Sequence, residues 1–190
     1  MEIKPEEVVF DQASLYYGKD IDLTNIDTVL DNLDKYMLGL SDGGVKFKET
    51  RKVRDIPFAG SLDRPIKNFQ RVLSAGGEVE GEVLIVNKEL LEMSLYEKGT
   101  TTSTKYDKYI SKTGIIPESA YGTLLMVAKK GSEQFIIVLK NCYNENGMSI
   151  DSKDKEEAVV KVKFTACISS PTDTSAPVEI YIPKPTVVTP

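Results

Sequence analysis

The chain has 190 residues, a formal net charge of −5, 41% hydrophobic and 28% charged residues. That balance suits one folded domain and excludes global disorder. It contains no His, no Trp and two Cys, Cys142 and Cys167, which removes Ser-His and Cys-His nucleophile pairs, imidazole ligands and an ordinary structural zinc site.

No apolar run approaches the roughly 18 residues a membrane helix needs. The opening "MEIKPEEVVF" is acidic and lacks the basic start and apolar stretch of a secretory signal. That predicts synthesis in a cytoplasm, with Cys142 and Cys167 as reduced thiols. In "TNIDTVLDNLDKYMLGL" the apolar spacing predicts a short helix around Ile26, Leu30 and Leu33. Val45 to Ile56 and Glu78 to Val86 read as two long strands. The loop between them, residues 57–77, holds Pro57, Gly60, Pro65, Gly76 and Gly77, and connections that long usually have a job.

"NKELLEMSLYEKG" predicts a helix over about 87–98, capped by Asn87, with Leu91 and Leu95 four apart and Gly99 closing it. Leu124–Ala128 and Phe135–Leu139 predict a hairpin turning at Lys130-Gly131-Ser132. In "AVVKVKFTACI", Val160, Val162, Phe164, Ala166 and Ile168 share one parity, so that strand sets one face on a core. Val178–Ile182 predicts a last strand before a Pro-rich tail. Many strands and one good helix, with no repeat or linker, make a single mainly β domain.

Charge is unevenly spread. Residues 45–72 carry eight Lys and Arg against three acids, a surplus of five on a chain whose total is −5. Lys46, Lys48, Lys52 and Arg54 share one parity, Arg64, Lys67 and Arg71 follow in the loop, and Phe58 and Phe69 stand among them for stacking. That is the outline of a nucleic-acid site. A pI near 5.0 and the absence of an RNA-binding aromatic signature argue against it. Glu78, Glu80 and Glu82 form an opposing row on the next strand, and pairing of the two strands would neutralise both. "GTTTSTK" lacks the second Gly before its Lys and follows a helix, so it is no phosphate loop. "DSKDKEE" puts Lys153 and Lys155 where calcium ligands belong. Nothing singles out two carboxylates from the 29 acids, so an enzyme acting through a carboxylate pair ranks third among the readings.

Taken in order, "GKDIDLTNIDTVLDNLDKYMLGLSDGGVKF", "GGEVEGEVLIVNKELLEMSLY", "LLMVAKKGSEQFIIVLKNCYNENGMSIDSKDKEEAVVKVKFTACISS" and "PVEIYI" form a succession of segments. It resembles that of the major tail (tail tube) proteins of long, non-contractile-tailed bacteriophages of Gram-positive hosts, relatives of contractile-tail and type VI secretion tubes. The resemblance runs from about Asp20 to Ile182 and is a pattern of segments rather than a catalytic signature. It implies a β-sandwich or partial barrel of two crossed antiparallel sheets with a flanking helix, built into hexameric rings that stack as a hollow tube. It also implies residence in the virion tail, tape-measure, terminator and distal tail proteins as partners, DNA passing without specific binding, and no cofactor. Residues 1–19 and 183–190 correspond by position to terminal arms around a core of 20–182.

The basic segment then has a use in assembly. Rings stack head to tail through unlike surfaces, so Arg54, Phe58, Arg64, Lys67, Phe69 and Arg71 are expected to meet acids of the adjacent ring. A conduit must not hold its cargo, so Glu78, Glu80 and Glu82 are expected to face the lumen. If Lys46, Lys48 and Lys52 share that face, the wall is mixed instead. The alternative is a monomeric β-sandwich adhesion or binding module of a virion or cell surface, which has the same strand pattern.

Overall fold

The structure, a computed structural model, describes residues 12–39, 41–56, 67–84, 86–130, 133–152, 158–170, 172–173 and 175–184. The strands are β1 (Gln12–Gly18), β2 (Met37–Gly39), β3 (Ser41–Asp55), β4 (Gln70–Val83), β5 (Tyr96–Gly99), β6 (Lys108–Ser111), β7 (Gly122–Lys130), β8 (Glu133–Asn144), β9 (Ser149–Asp151), β10 (Val159–Thr165) and β11 (Val178–Tyr181). The helices are short: α1 (Ile26–Leu30) and α2 (Lys88–Met93), with a 3-10 turn at Leu33–Tyr36. The fold is a mainly β sandwich of antiparallel sheets.

The first sheet runs β2-β1-β7-β8 with β11 on the far side of β8, and the second runs β10-β4-β3 with β9 beside β10. One strand belongs to both. Residues 136–139 of β8 pair with β7 and β11, while Tyr143 and Asn144 pair with Thr165 and Phe164 of β10. Between these stretches Asn141 takes a φ of 48°, a left-handed conformation that Asn tolerates better than most residues. At the other corner β2 ends two positions before β3 begins, so the chain itself passes from sheet to sheet.

Alternation explains the two kinds of strand sequence. Leu124, Met126, Ile137 and Leu139 point between the sheets, into a core with Val79, Val160, Val162 and Phe164. Leu125, Val127, Ile136 and Val138 point the other way, onto Val29 of α1 and onto Ile21 and Leu33 beside it. Because β7 and β8 are covered on both faces, they read as unbroken apolar runs. β10 is covered on one face and alternates, but it stops at Thr165, leaving Ile168 exposed.

The expected hairpin is present, in the register Leu124↔Leu139 to Lys130↔Glu133, and its turn residues 131–132 lie outside the described residues. Three expectations are corrected. The loop over 57–77 is shorter, because β4 starts at Gln70 and Gly77 already pairs with Glu49. Gly76 and Gly77 are strand residues rather than turn residues, and a Cβ on Gly77 would lie 2.5 Å from Val178. Gln12–Gly18, assigned to an arm, is a central strand whose Leu15 is fully buried; β1 is apolar toward both cores, so it shows no alternation. The helix over 87–98 ends at Met93: Leu90 and Met93 are its buried anchors, Leu95 at φ 64° breaks it, and Tyr96–Gly99 is β5. Gly99 therefore closes no helix. The short helix expected around Ile26, Leu30 and Leu33 is present as α1 and the 3-10 turn after it, with α1 held by Asn25, whose Oδ1 accepts from the Asp27 and Thr28 amides.

Asn144 joins the elements at the shared corner. Fully buried, it donates through Nδ2 to Ser94 Oγ at 2.8 Å and to the Gly147 carbonyl at 2.6 Å, and its Oδ1 accepts from the Lys163 amide at 3.0 Å. Removing it strands the buried Ser94 hydroxyl together with the part-buried Gly147 carbonyl and Lys163 amide. Asn144→Ala is expected to lower unfolding free energy in urea by about 1–3 kcal/mol. Asn32→Ala, at a half-buried residue whose side chain bonds the Thr28 carbonyl and Lys35 at the surface, should cost less, about 0.5–1 kcal/mol.

Candidate functional site

Two surfaces stand out, both on the β3-β4 pair. The first is the outward face of the second sheet. Directly opposed residues of antiparallel strands point to the same side. The pairs Lys46↔Glu80 and Lys48↔Glu78 on one flank, and Lys161↔Glu82 and Lys163↔Glu80 on the other, make bands of lysine, glutamate and lysine. Lys46 approaches Glu80 at 3.7 Å, Lys163 lies 3.7 Å from Glu78 and 2.9 Å from Glu145, and Lys161 bonds Asp151. The expected acidic row therefore exists, but it is flanked by lysines on both sides and is no acidic wall by itself. A shallow polar groove of about 490 Å³ is lined here by Gly44, Gly81, Lys46, Glu80, Glu82 and Lys161.

The second surface is a ribbon. Near the body, Val45 and Phe47 of β3 pack against the core between the sheets. From Lys48 onward every β3 residue is exposed, and so is β4 from Gln70 to Ser74. The pairing nevertheless continues through Lys52↔Ser74, Val53↔Val72, Arg54↔Arg71 and Asp55↔Gln70 to a hydrogen bond from the Ile56 amide to the Phe69 carbonyl, 2.7 Å. A bulge at Leu73 shifts the register there and adds twist. Seven residues of strand, Glu49 to Asp55, extend about 20 Å at the usual rise.

This ribbon is unusual in what it shows to water. Val53, Ile56, Phe69, Val72 and Leu73 are 40–54% exposed. Arg54 sits directly across from Arg71, a like-charged pair that costs energy unless an anion joins it. Neither guanidinium has an ion-pair partner among the described residues, and the same holds for Lys52 and the exposed Lys67. Arg51, by contrast, grips Glu49 at 2.7 Å on the ribbon's other face. Phe58 and Arg64 lie outside the described residues.

Sequence reasoning missed the apolar half of this surface because β-branched residues in a strand normally mean core. The signal was available. Glu49 and Arg51 on one parity and Lys52 and Arg54 on the other leave β3 no apolar face there. It also missed Lys161 and Lys163 as the second flank of the glutamate row.

Elsewhere, Cys142 is buried, donates to the Gly122 carbonyl at 3.3 Å, and has its thiol pushed well above the ordinary range by burial. Cys167 is a half-buried thiol. Among the described residues no group of three acids or thiols is placed to hold a metal ion. No protein-family model matches the chain, and no curated protein matches it.

Three carboxyls, of which Glu145 adjoins the banded face through Lys163, are held below the ordinary range. The hydrogen bond from Lys163, with Thr165 behind it, lowers Glu145; that from Lys19 lowers Glu92; that from Lys140 lowers Glu179. A carboxyl depressed in the fold stabilises it above the unfolded value near 4.5, and the contribution fades as pH falls through the folded value. The urea midpoint is therefore expected to be flat near neutrality and to drop below about pH 4.5. Glu145→Gln should make that acid limb shallower, since it removes a group that binds its proton more weakly in the folded state than in the unfolded one.

Proposed function

We propose that the chain is a self-assembling structural subunit of a phage tail tube. Six copies form a ring, and rings stack into a hollow conduit through which DNA passes. The observation that carries the self-assembly is the ribbon. A two-stranded ribbon with water on both faces is marginal in isolation. A run of exposed apolar residues this dense marks a surface meant to be covered. Among the described residues β3 is also the terminal strand of its sheet, the kind of edge that natural proteins cover or pair. Six-fold symmetry, the conduit, the location in the virion tail after synthesis in a host bacterium, and the tape-measure, terminator and distal tail partners all rest on the resemblance of segment order. The role is assembly, without catalysis or cofactor.

In this reading Glu78, Glu80 and Glu82 line the lumen as part of a charge-balanced wall. Balance serves transport as well as an acidic wall does, because a lysine attracted to a phosphate has a glutamate beside it. Neutralising all three, Glu78→Gln, Glu80→Gln and Glu82→Gln, should leave Lys46 and Lys48 with no opposing carboxylate, shift the face by three charges and confer DNA binding at low salt. The parent should show none. The affinity of the triple variant should fall steeply with added salt, in a gel-shift titration.

Negative-stain microscopy together with sedimentation velocity tests the assembly itself. Concentrated protein should form rings or tubes. Val53→Asp with Val72→Asp should abolish them while leaving the thermal midpoint within a few degrees, because neither side chain touches the core. A parent chain that stays monomeric at millimolar concentration, with or without preformed tube ends, would favour the monomeric adhesion module.

A further inference from the structure

The proposed tube leaves open which surface receives the ribbon. We infer that the ribbon of one copy docks on the acidic shelf that α1 and its flanking turns form on a second copy of the same chain. This rests on the reading of the chain as a self-assembling subunit and names the complementary faces.

The shelf spans residues 20–34, "DIDLTNIDTVLDNLD", with five aspartates and no Lys or Arg. Asp20, Asp22, Asp27, Asp31 and Asp34 are all exposed, and none makes an ion pair among the described residues. Of the two lysines that flank the stretch, Lys19 is drawn away to Glu92 at 2.6 Å, while Lys35 stays on the shelf, donating to Asn32 Oδ1 at 3.0 Å. The shelf thus carries a net negative charge of five aspartates against one lysine, and the ribbon carries positive charge without ion-pair partners among the described residues at Lys52, Arg54, Lys67 and Arg71.

The apolar parts match as well. Leu23, Ile26 and Leu30 are only half covered by the body, and Met37 beside them is 41% exposed. They offer side chains to Ile56 and Phe69, which by register share the ribbon face of Lys52, Arg54 and Arg71, while the aspartates around them meet the guanidiniums. Other described surfaces suit the ribbon poorly. The β5-β6 hairpin and its loop, residues 96–112, hold four lysines against two acids. The banded face of the second sheet is already balanced within itself.

Position makes the contact intermolecular. The shelf covers the face of the first sheet turned away from the second, and the ribbon grows out of the second sheet. Unlike surfaces on opposite sides of one subunit give a heterologous contact that repeats without closing, as stacking requires.

A charge-swap experiment on the full chain decides the matter. One variant carries Arg54→Glu and Arg71→Glu; the other carries Asp27→Lys and Asp31→Lys. All four positions are exposed, and circular dichroism with a thermal melt confirms that each variant folds. Each alone should weaken self-association about a hundredfold or more, because like charges then face each other. Mixed one to one, they should recover a complex in sedimentation velocity, since the first keeps the shelf and the second keeps the ribbon. A chain with all four changes should also regain self-association. If the aspartate variant assembles like the parent while the arginine variant does not, the ribbon docks elsewhere and the inference falls, with the assembly reading intact. Failure of the mixture to recover would sink it equally. A parent that never associates removes both.

Discussion

β8 is the strand on which the architecture depends, because it must serve two sheets with one backbone. Over residues 136–139 it hydrogen-bonds on both sides and is apolar on both faces. Five residues later it leads into the second sheet. The transition is made by Asn141 in a left-handed conformation and is secured by Asn144, whose side chain satisfies three groups from α2, the following turn and β10. A buried amide in such a network stabilises only while every member is bonded. Two sheets are thereby fixed at one corner, and the interior between them can close on Phe164 and Leu139.

From that fixed interior the β3-β4 pair leads outward. The same two strands are half of a packed sheet at Phe47 and Val79 and a free ribbon at Val53 and Val72. Backbone pairing is continuous across the boundary, while side-chain burial stops. The energetics of the two halves differ accordingly. The inner half is held by burial of apolar area. The outer half relies on its ladder alone, which is little in water. Such a division is ordinary in proteins that finish folding when they associate, where a partner supplies the missing burial.

How much of this was legible in the sequence follows from where burial occurs. The alternation of β10 and the apolar arms of the β7-β8 hairpin announced themselves, because a core on one face or both leaves a period. The opposition of Lys46 and Lys48 to Glu80 and Glu78 was also readable, since hairpin pairing sets charges of equal parity face to face. What failed is instructive. β1 has no alternation because both its faces are covered. Gly76 and Gly77 resembled a turn, although Gly77 is glycine because Val178 needs the space. The end of α2 was placed too late because Leu91 and Leu95 offered a plausible helical spacing, whereas Leu90 and Met93 are the buried pair. The aspartates of the shelf drew no attention as a surface, since their unpaired state depends on where Lys19 reaches, which is a tertiary fact.

The seat of Val178 against Gly77 has a mechanical meaning. β11 is the last strand among the described residues, pairing with β8 by its backbone, and its first side chain rests on the root of the ribbon. The side-chain-free position at that root makes the contact close, so the two move as a linkage rather than independently. Tension applied to the chain beyond Ile182 reaches β11 first and, through Val178, bears on the angle at which the ribbon leaves the body. The far end of the polypeptide is in this way a lever on a feature more than a hundred residues upstream.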